Sequence, residues 1–272
     1  MQTPAARAAE MLARLREEHP LIHHITNQVV MNDTANLTLH LGALPVMAHA
    51  PEEVGDMVAA AGALVLNTGT LTTETINTML IAGQRANALG VPIVLDPVGA
   101  GANRFRTEMN TRLLSELRIA VVRGNAGEIA TLAGAGGQVK GVESVGAVEN
   151  PAAVARELAR RSGAVVAITG QRDLISDGRR TLAVDNGHRW LTTLTGTGCM
   201  ATTAVACFAA VERDLPLAVA AALAAYGLAA EQAAPNAPGP ASFKVAFLDQ
   251  VYLLTPEQLA QGARIVALEE AV

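Results

Sequence analysis

The chain has 272 residues, half of them apolar, which is enough to build a large buried core and excludes the composition typical of disordered proteins. Its formal net charge of −5 argues against nucleic acid as a partner, because binding to phosphates along a strand needs a basic surface. The two cysteines, Cys199 and Cys207, are spaced about 12 Å apart on a predicted helix, which is too far for a disulfide. Two unpaired thiols predict a reducing compartment, the cytoplasm.

The sequence predicts neither a secretion signal at the amino terminus nor a helix that spans a membrane. The first 20 residues carry charges of both signs at helical spacing and have no apolar segment of the kind found in secretion signals. The longest apolar run, LPLAVAAALAAYGLAA, is shorter than the roughly 20 residues that span a bilayer, so it predicts a buried helix. We therefore expect no membrane partner.

Short β-branched segments alternate with helical patterns through the first 170 residues. The alternation predicts an α/β domain with a mostly parallel sheet and helices on both of its faces. The predicted strands are LIHHIT, LPVMAH, GALVLNTG, VPIVLDPVG, IAVVRGN and AVVAITG. Helices are predicted at 28–41, 72–89, 105–118 and 150–162.

The pattern changes after Gly170. Asp177-Gly178 and Asn186-Gly187 are strong hairpin signals within alternating segments, and they predict an antiparallel meander at one edge of the sheet. From Gly198 onward the chain is predicted to be alanine-rich helix, broken by APNAPGPAS. No linker or shift in composition divides the sequence, so a single domain over residues 1–272 is predicted.

Polar residues follow several of the predicted strands at corresponding ends. Since ligands bind at the carboxyl ends of strands in open parallel sheets, these residues predict a site there. They are Asn27, the segment Asn67-Thr68-Gly69, Asp96, Arg123 with Asn125, and Thr169-Gly170.

Two acidic residues in this set predict a magnesium site. Asp96 lies in LDPVGAG, and Glu128 lies in RGNAGEIATL at the start of a predicted helix. Magnesium takes few protein ligands and keeps its waters, so a carboxylate pair suits it. For Glu128 a plain role as an acid that favours the helix dipole is an equal alternative. Arg123 is a candidate clamp for phosphate.

The segment Thr195-Gly196-Thr197-Gly198-Cys199 has three interpretations. As a dinucleotide fingerprint it is disfavoured, because Asp214 lies at the right distance but no strand precedes it. As a covalent nucleophile Cys199 needs a histidine base that the sequence does not place beside it. As a helix start rich in glycine, the segment favours anion binding, and the same field would lower the pKa of the thiol and make it a proton acceptor. No P-loop motif is present, and the residues favour a phosphate-binding kinase of small molecules.

With these residues in hand, the chain resembles the ribokinase-like superfamily and, within it, the hydroxyethylthiazole kinase family. The resemblance extends over nearly the whole length, and its most specific segments are HHITNQVVMNDTANLTLHLGALPVMAHAPEE, ALVLNTGTL, VLDPVGAGA, RGNAGEIATLAG, ITGQRDLISDG and TGTGCMATT. It implies a three-layer α/β/α fold and homotrimers with active sites at subunit interfaces. It also implies phosphorylation of the thiazole alcohol by ATP and Mg²⁺ in thiamine biosynthesis and salvage.

The resemblance also implies roles for individual residues. Cys199 stands where most ribokinase-like sugar kinases carry an aspartate base. The other implied positions are Asn27, Met47, Gly69 and Gly196 for the thiazole, Arg123 and Thr169 for ATP, and Asp96 with Glu128 for Mg²⁺. The chemistry of the residues adds Val29 to the thiazole pocket beside Met47, because thioether contacts with rings are favourable. Asn125 from the strand-end set, with Gly196 and Gly198 from the anion site, completes the predicted ATP-binding residues.

Two alternatives stay open at this point. The first, within the same superfamily, is a kinase of hydroxymethylpyrimidine or a related heterocyclic alcohol, since those enzymes share a similar glycine-cysteine signature. The amino-terminal stretch disfavours it, because that stretch lacks the glycine-rich opening of the pyrimidine enzymes. The second, from another class, is a nucleotide-dependent repair dehydratase or a nucleotide-binding regulatory protein.

Overall fold

Strands and helices alternate in the computed structural model, which describes residues 2–134, 139–140, 143–144 and 150–268. The strands are β1 (Leu21–Ile25), β2 (Leu44–Val46), β3 (Ala63–Asn67), β4 (Ile93–Asp96), β5 (Val121–Asn125), β6 (Val139–Lys140), β7 (Glu143–Ser144), β8 (Val165–Thr169), β9 (Asp173–Ser176), β10 (Thr181–Val184) and β11 (Ile265–Leu268). The helices are α1 (Pro4–Glu18), α2 (Met31–Leu41), α3 (Val54–Ala60), α4 (Thr73–Leu89), α5 (Arg104–Glu116), α6 (Ala126–Leu132), α7 (Pro151–Ser162), α8 (Thr197–Val211), α9 (Leu215–Ala233), α10 (Pro240–Leu253) and α11 (Pro256–Gly262). The four helices predicted by range are all confirmed, each within a few residues.

Nine of these strands form one sheet in the order β11-β10-β9-β8-β5-β4-β3-β1-β2. The strands from β2 to β8 in that order are parallel, and β9, β10 and β11 pair antiparallel at the other edge. The predicted mostly parallel sheet with an antiparallel edge is therefore confirmed. Strands from residue 21 to residue 268 belong to this one sheet. This supports the single domain over 1–272, which stays a prediction.

Side chains on the two faces of the sheet enter two separate cores. Val65 and Val94 belong to the core formed with α1, α2, α8, α9 and α10, whereas Leu64 and Leu66 belong to the core formed with α3 to α7. The strands carry apolar residues on both faces, which is the pattern expected for a parallel sheet covered on both sides. The three-layer α/β/α arrangement implied by the resemblance is confirmed.

Helices α8 and α9 pack together at the centre of the layer that also contains α1, α2 and α10. The segment Leu215–Asn236, which comprises α9 and a short 3₁₀ turn, is long and apolar enough to cross a membrane, but 83% of its apolar window is buried within the protein. It is thus a core helix, as its alanine-rich sequence predicts. Cys199 and Cys207 both lie on α8, and both thiols are free.

The carboxyl-terminal half corrects two predictions about the sheet edge. The hairpin at Asp177-Gly178 joins β9 to β10, but Asn186-Gly187 forms no hairpin, because β10 pairs on its other side with β11. The reason lies in the Asn186 side chain, whose Oδ1 accepts a hydrogen bond from the amide of Arg264 at 2.7 Å, just before β11. This long-range contact replaces the local turn. After Gly198 the helices are present, but the prediction missed β11, which forms because Ile265–Leu268 pair with β10.

His24 on β1 gives the fold a pH-dependent stability. Its side chain is fully buried, its Nε2 lies 3.2 Å from Thr38 Oγ1, and its Nδ1 has no hydrogen-bond partner among the described residues. Burial, together with the neighbouring His23 and His49, lowers the pKa of His24 from 6.5 to about 3. Between those pKa values the unfolded chain binds a proton that the folded chain excludes, so stability falls as pH falls below 6.5.

We expect His24 alone to remove about 1.4 kcal/mol from the free energy of unfolding between pH 7.5 and pH 5.5. Denaturant unfolding at both pH values measures this loss, and the His24→Gln variant is the control because it cannot titrate. The loss on acidification should be smaller in the variant by that amount. Equal losses in the two proteins would contradict the prediction.

Candidate active site

The polar residues predicted at the strand ends lie together along one edge of the sheet. Strands β8, β5, β4, β3 and β1 are consecutive neighbours, so their carboxyl ends form a continuous row. Within it Asn67 is in register with Asp96, and Asn125 is in register with Thr169. The convergence that the sequence predicted is therefore present.

A chain of hydrogen bonds runs from Asp96 to Cys199 through two asparagines. Asn67 Nδ2 donates to Asp96 Oδ2 at 2.8 Å, and Asn27 Nδ2 donates to Asn67 Oδ1 at 2.8 Å. Asn27 Nδ2 also lies 3.4 Å from Cys199 Sγ. Because an ionised carboxylate only accepts hydrogen bonds, Asp96 orients both amides, and the Cys199 sulfur receives an N–H.

Asp96 is the buried centre of this network. Its Oδ2 also accepts a hydrogen bond from Thr202 Oγ1 at 2.8 Å and lies 4.0 Å from Arg123 Nη1. Burial raises the pKa of Asp96, whereas Arg123, Thr202 and Asn67 oppose that rise. The carboxylate is therefore held by three polar side chains in a place where water solvates it poorly.

Glu128 faces the same region from the start of α6. Its Oε1 accepts the amide of Gly99 at 2.8 Å, and its Oε2 accepts the amide of Asn125 at 2.9 Å. The Asn125 side chain accepts the Glu128 amide in return, which completes a capping box. Glu128 therefore has the helix-start role that was its alternative interpretation, and it also ties the loop after β4 to the site.

The two carboxylates raise the free energy of each other's charged form. Burial, together with the negative charge of Asp96, raises the pKa of Glu128 from 4.5 to about 7. No group of three or more His, Cys, Asp or Glu side chains within the described ranges could hold a metal ion. A buried acidic pair without further protein ligands fits Mg²⁺, which binds through one or two carboxylates together with phosphates and water.

The amino-terminal end of α8 closes the site opposite these carboxylates. Gly196 caps the helix with φ of +84°, and a Cβ there would lie 2.7 Å from Val30 Cγ1. A Cβ on Gly198 would lie 2.9 Å from Arg123 Nη1. Gly196 is therefore required by its backbone conformation and by space, and Gly198 lets the guanidinium approach the first turn, where helix amides lack intrahelical acceptors.

Arg123 links this helix start to the strand ends. Its Nη2 donates to Thr169 Oγ1, and its Nε is buried with no hydrogen-bond partner in the part of the chain that the structure describes. An unpartnered buried donor is uncommon, because leaving it unsatisfied costs free energy. Together with the free amides of α8, Arg123 forms a site with the charge and donors that a phosphate needs.

The pKa of the Cys199 thiol shifts in the opposite direction to the one predicted. Burial, together with the negative charge of Asp96, raises it from 9.0 to about 12. Asn67, Asn27 and Arg123 favour the thiolate without reversing this shift. The predicted lowering by the helix field is wrong for this structure, since burial and a like charge outweigh it. The neighbour of Cys199 Sγ is Asn27 rather than a histidine, so no nucleophile pair forms there.

The residues predicted for the thiazole lie around Asn27. The Gly69 amide donates to Asn67 Oδ1 at 3.0 Å, and the Val29 amide donates to Asn27 Oδ1 at 3.1 Å. Met47 is half-buried, and its carbonyl lies 3.2 Å from His49 Nδ1. His49 Nε2 in turn accepts the amide of Thr26, next to Asn27. These contacts attach the Met47 loop to the end of β1.

Sequence reasoning missed two residues that hold the site. Thr202 lies one turn beyond Cys199 on α8, and that spacing could have placed it on the same face. Arg106 on α5 donates to three carbonyls in the loops after β3 and β4, and no local sequence signal distinguishes it from the other arginines of that helix.

The dinucleotide interpretation of the glycine segment, which the sequence disfavours, is excluded by the fold, because a 3₁₀ turn at Arg189–Thr193 precedes that segment instead of a strand.

Comparisons with known proteins agree with this geometry. The model of the hydroxyethylthiazole kinase family matches residues 12–257. A curated relative named hydroxyethylthiazole kinase, from Roseiflexus sp. (strain RS-1), is 67% identical over 260 residues, which are 96% of each chain.

Solved structures show the same relationship. The structure of a hydroxyethylthiazole kinase protein from Pyrococcus horikoshii OT3 has a TM-score of 0.89 and 44% identity, and covers 97% of this chain and 99% of that one. A ribokinase-like superfamily protein from Enterococcus faecalis V583, at 11% identity and a TM-score of 0.63, covers 91% of this chain and 95% of that one and shares the fold alone. With its sequence and fold matched over nearly their full length, the chain belongs to the hydroxyethylthiazole kinase family.

Proposed function

We propose that this protein transfers the γ-phosphoryl group of ATP to the primary hydroxyl of 4-methyl-5-(2-hydroxyethyl)thiazole, as a step of thiamine biosynthesis or salvage. Membership of the family supports the substrate, since relatives over almost the whole chain carry that name. The observation that carries the chemistry is the placement of Arg123 beside both Asp96 and the amino terminus of α8. Phosphoryl transfer needs mainly such positioning and charge neutralisation.

In this proposal ATP binds along the row from α8 to β8. Its phosphates are bound by the guanidinium of Arg123, the hydroxyl of Thr169 and the backbone amides of Gly196 and Gly198. The unpartnered Arg123 Nε supports this assignment, because a phosphate oxygen would satisfy it. Asn125 belongs to the same site, where its side chain also holds the amide of Glu128.

Asp96 and Glu128 are proposed to hold Mg²⁺ and its waters. The ion supplies positive charge to the phosphates when it is bound. The mutual repulsion of the two carboxylates supports this role, since a cation between them would remove the cost of keeping both ionised. Thr202 and Asn67 orient Asp96 through the two hydrogen bonds on its Oδ2.

The thiazole is proposed to lie between Asn27, Val29, Met47, Gly69 and Gly196. This set offers one side-chain amide, two apolar side chains and a backbone that approaches closely, which suits a small neutral ring with a hydroxyl. Asn27 connects this pocket to Cys199. The substrate hydroxyl would thereby lie near the thiol and near the phosphate site.

Cys199 is proposed to accept the hydroxyl proton as the oxygen attacks the γ-phosphorus and the bond to ADP breaks. With a pKa near 12 the thiol is mostly protonated at neutral pH, so only a minor thiolate fraction acts as the base. Below the pKa this fraction rises tenfold for each unit of pH. The proposal therefore requires the turnover number to increase with pH.

The activity is tested by following ADP formation with ATP, Mg²⁺ and each candidate alcohol. We expect turnover with the thiazole, its loss when EDTA removes the metal, and its return on adding Mg²⁺. Asp96→Asn should lower kcat by about 100-fold or more, as removal of a charge-stabilising group does, and Asp56→Asn is the control on the exposed surface of α3.

Turnover with hydroxymethylpyrimidine but not with the thiazole would reject the proposed substrate. Nucleotide binding without turnover of any alcohol would favour a regulatory protein instead. ATP-dependent dehydration of a damaged nucleotide would indicate the repair class.

For Cys199→Ala we expect kcat to fall by about tenfold while the KM for the thiazole changes less than twofold, because a base acts in the transition state. The rise of kcat with pH between 6 and 9 should also be weaker in the variant. Steady-state kinetics across that range measure both, with Cys207→Ala as the control on the same helix. A near-normal kcat with an unchanged pH profile would assign the proton to another acceptor.

A homotrimer with active sites at subunit interfaces is also part of the proposal, and so is a cytoplasmic location. Val29, beside the proposed thiazole pocket, is 63% exposed, and Val245 on the neighbouring α10 is 62% exposed. A second copy covering these apolar side chains would enclose the pocket.

Light scattering should give three times the 28.1 kDa chain mass. Val29→Asp should lower both this mass and the activity, whereas Leu89→Asp, on the opposite layer, should change neither. A monomer with full activity would contradict the assembly.

A further inference from the structure

Arg106 on α5 joins two loops at the carboxyl edge of the sheet. Its Nη1 donates to the carbonyl of Thr68 at 2.8 Å and to that of Val98 at 2.9 Å, and its Nη2 donates to the carbonyl of Gly69 at 2.7 Å. Thr68 and Gly69 follow β3, whereas Val98 follows β4. One guanidinium thus holds the ends of two neighbouring strands.

The two loops belong to different halves of the proposed site. Gly69 lies in the thiazole pocket, where its amide donates to Asn67 Oδ1. On the other side, the Gly99 amide, next to Val98, donates to Glu128 Oε1 at 2.8 Å. Arg106 contacts none of the side chains proposed to touch substrate or metal. It does set the distance between the loops after β3 and β4, which lie next to those side chains.

The geometry requires a guanidinium rather than a positive charge alone. All three acceptors are carbonyls, and no carboxylate of the described residues pairs with Arg106. A planar fork can direct separate N–H groups at three oxygens, which a lysine ammonium on a flexible stem does less well. Gly99 makes room for the stem, because a Cβ there would lie 2.9 Å from Arg106 Cδ.

A second residue of α5 reinforces the same junction. Asn110, fully buried one turn further along, donates from Nδ2 to the carbonyl of Arg106 at 2.9 Å. Its Oδ1 accepts a hydrogen bond from Thr68 Oγ1 at 3.1 Å. The helix is therefore attached to the β3 loop at two points, which restricts how Arg106 can move.

We infer that Arg106 is a positioning residue for the phosphoryl transfer, and that it couples the thiazole loop after β3 to the loop after β4, whose Gly99 amide holds Glu128. This inference rests on the proposed function for its kinetic consequence. The clamp itself is a property of the loops and is measurable without turnover. Displacement of either loop would weaken the binding of both the thiazole and the metal, because both binding sites depend on the same guanidinium.

The kinetic test uses Arg106→Lys and Arg106→Ala, with Arg112→Lys and Arg112→Ala as matched controls. Arg112 lies on the same helix and pairs with Glu116 at 2.7 Å. For Arg106→Lys we expect about a tenfold rise in the KM for the thiazole and in the Mg²⁺ concentration for half-maximal activity, since small misplacement of a binding group is costly. The KM for ATP should stay within twofold. Guanidinium chloride added to Arg106→Ala should recover part of the lost activity, and the Arg112 variants should match the wild type.

Hydrogen exchange of the ligand-free proteins tests the clamp separately. We expect faster exchange in both Arg106 variants for the amides of 67–70 and 98–101, with the exchange of β5 and β8 unchanged. If the wild type does not phosphorylate the thiazole but this local effect is present, the proposed function fails and the clamp stands. Unchanged exchange in the two loops, full activity of Arg106→Lys, or a loss confined to kcat with both half-saturation values unchanged would overturn the inference.

Discussion

The site depends on keeping a negative charge buried at Asp96. Because burial alone would favour its protonated form, the carboxylate needs the hydrogen bonds of Asn67 and Thr202 and the nearby charge of Arg123. These partners come from β3, α8 and β5. Satisfying one carboxylate therefore brings three elements of the chain to the same point, and the orientation of Asn27 and Cys199 follows from it.

Two further groups, the Glu128 carboxylate and the Arg106 guanidinium, complete the surroundings of this charge. Glu128 adds a second carboxylate whose pKa rises to about 7, so the pair is electrostatically prepared for a cation. Behind it, Arg106 holds the carbonyls of the two loops that support Asn67 and Glu128. The loop after β4 takes part in both contacts, because Gly99, next to Val98, donates its amide to Glu128.

Much of the architecture was predictable because it depends on local patterns. Continuous apolar strands, helix caps such as Thr72 and Asn150, and the hairpin at Asp177-Gly178 all act over a few residues. The predictions failed where a distant contact overrides a local one. Asn186 pairs with the amide of Arg264 instead of turning a hairpin, and the thiol of Cys199 is buried beside Asp96 instead of being activated by its helix.

By itself the sequence determined the alternation of strand and helix, the row of polar strand ends and the glycines at the start of α8, since each follows from residue type and spacing. Only the tertiary structure decided what those groups do to one another. The pKa values of Cys199 and Glu128 depend on burial and on the charge of Asp96, a residue far from both along the chain. Thr202 and Arg106 likewise acquire their partners through folding, because a hydrogen bond between distant segments leaves no periodic trace in either one.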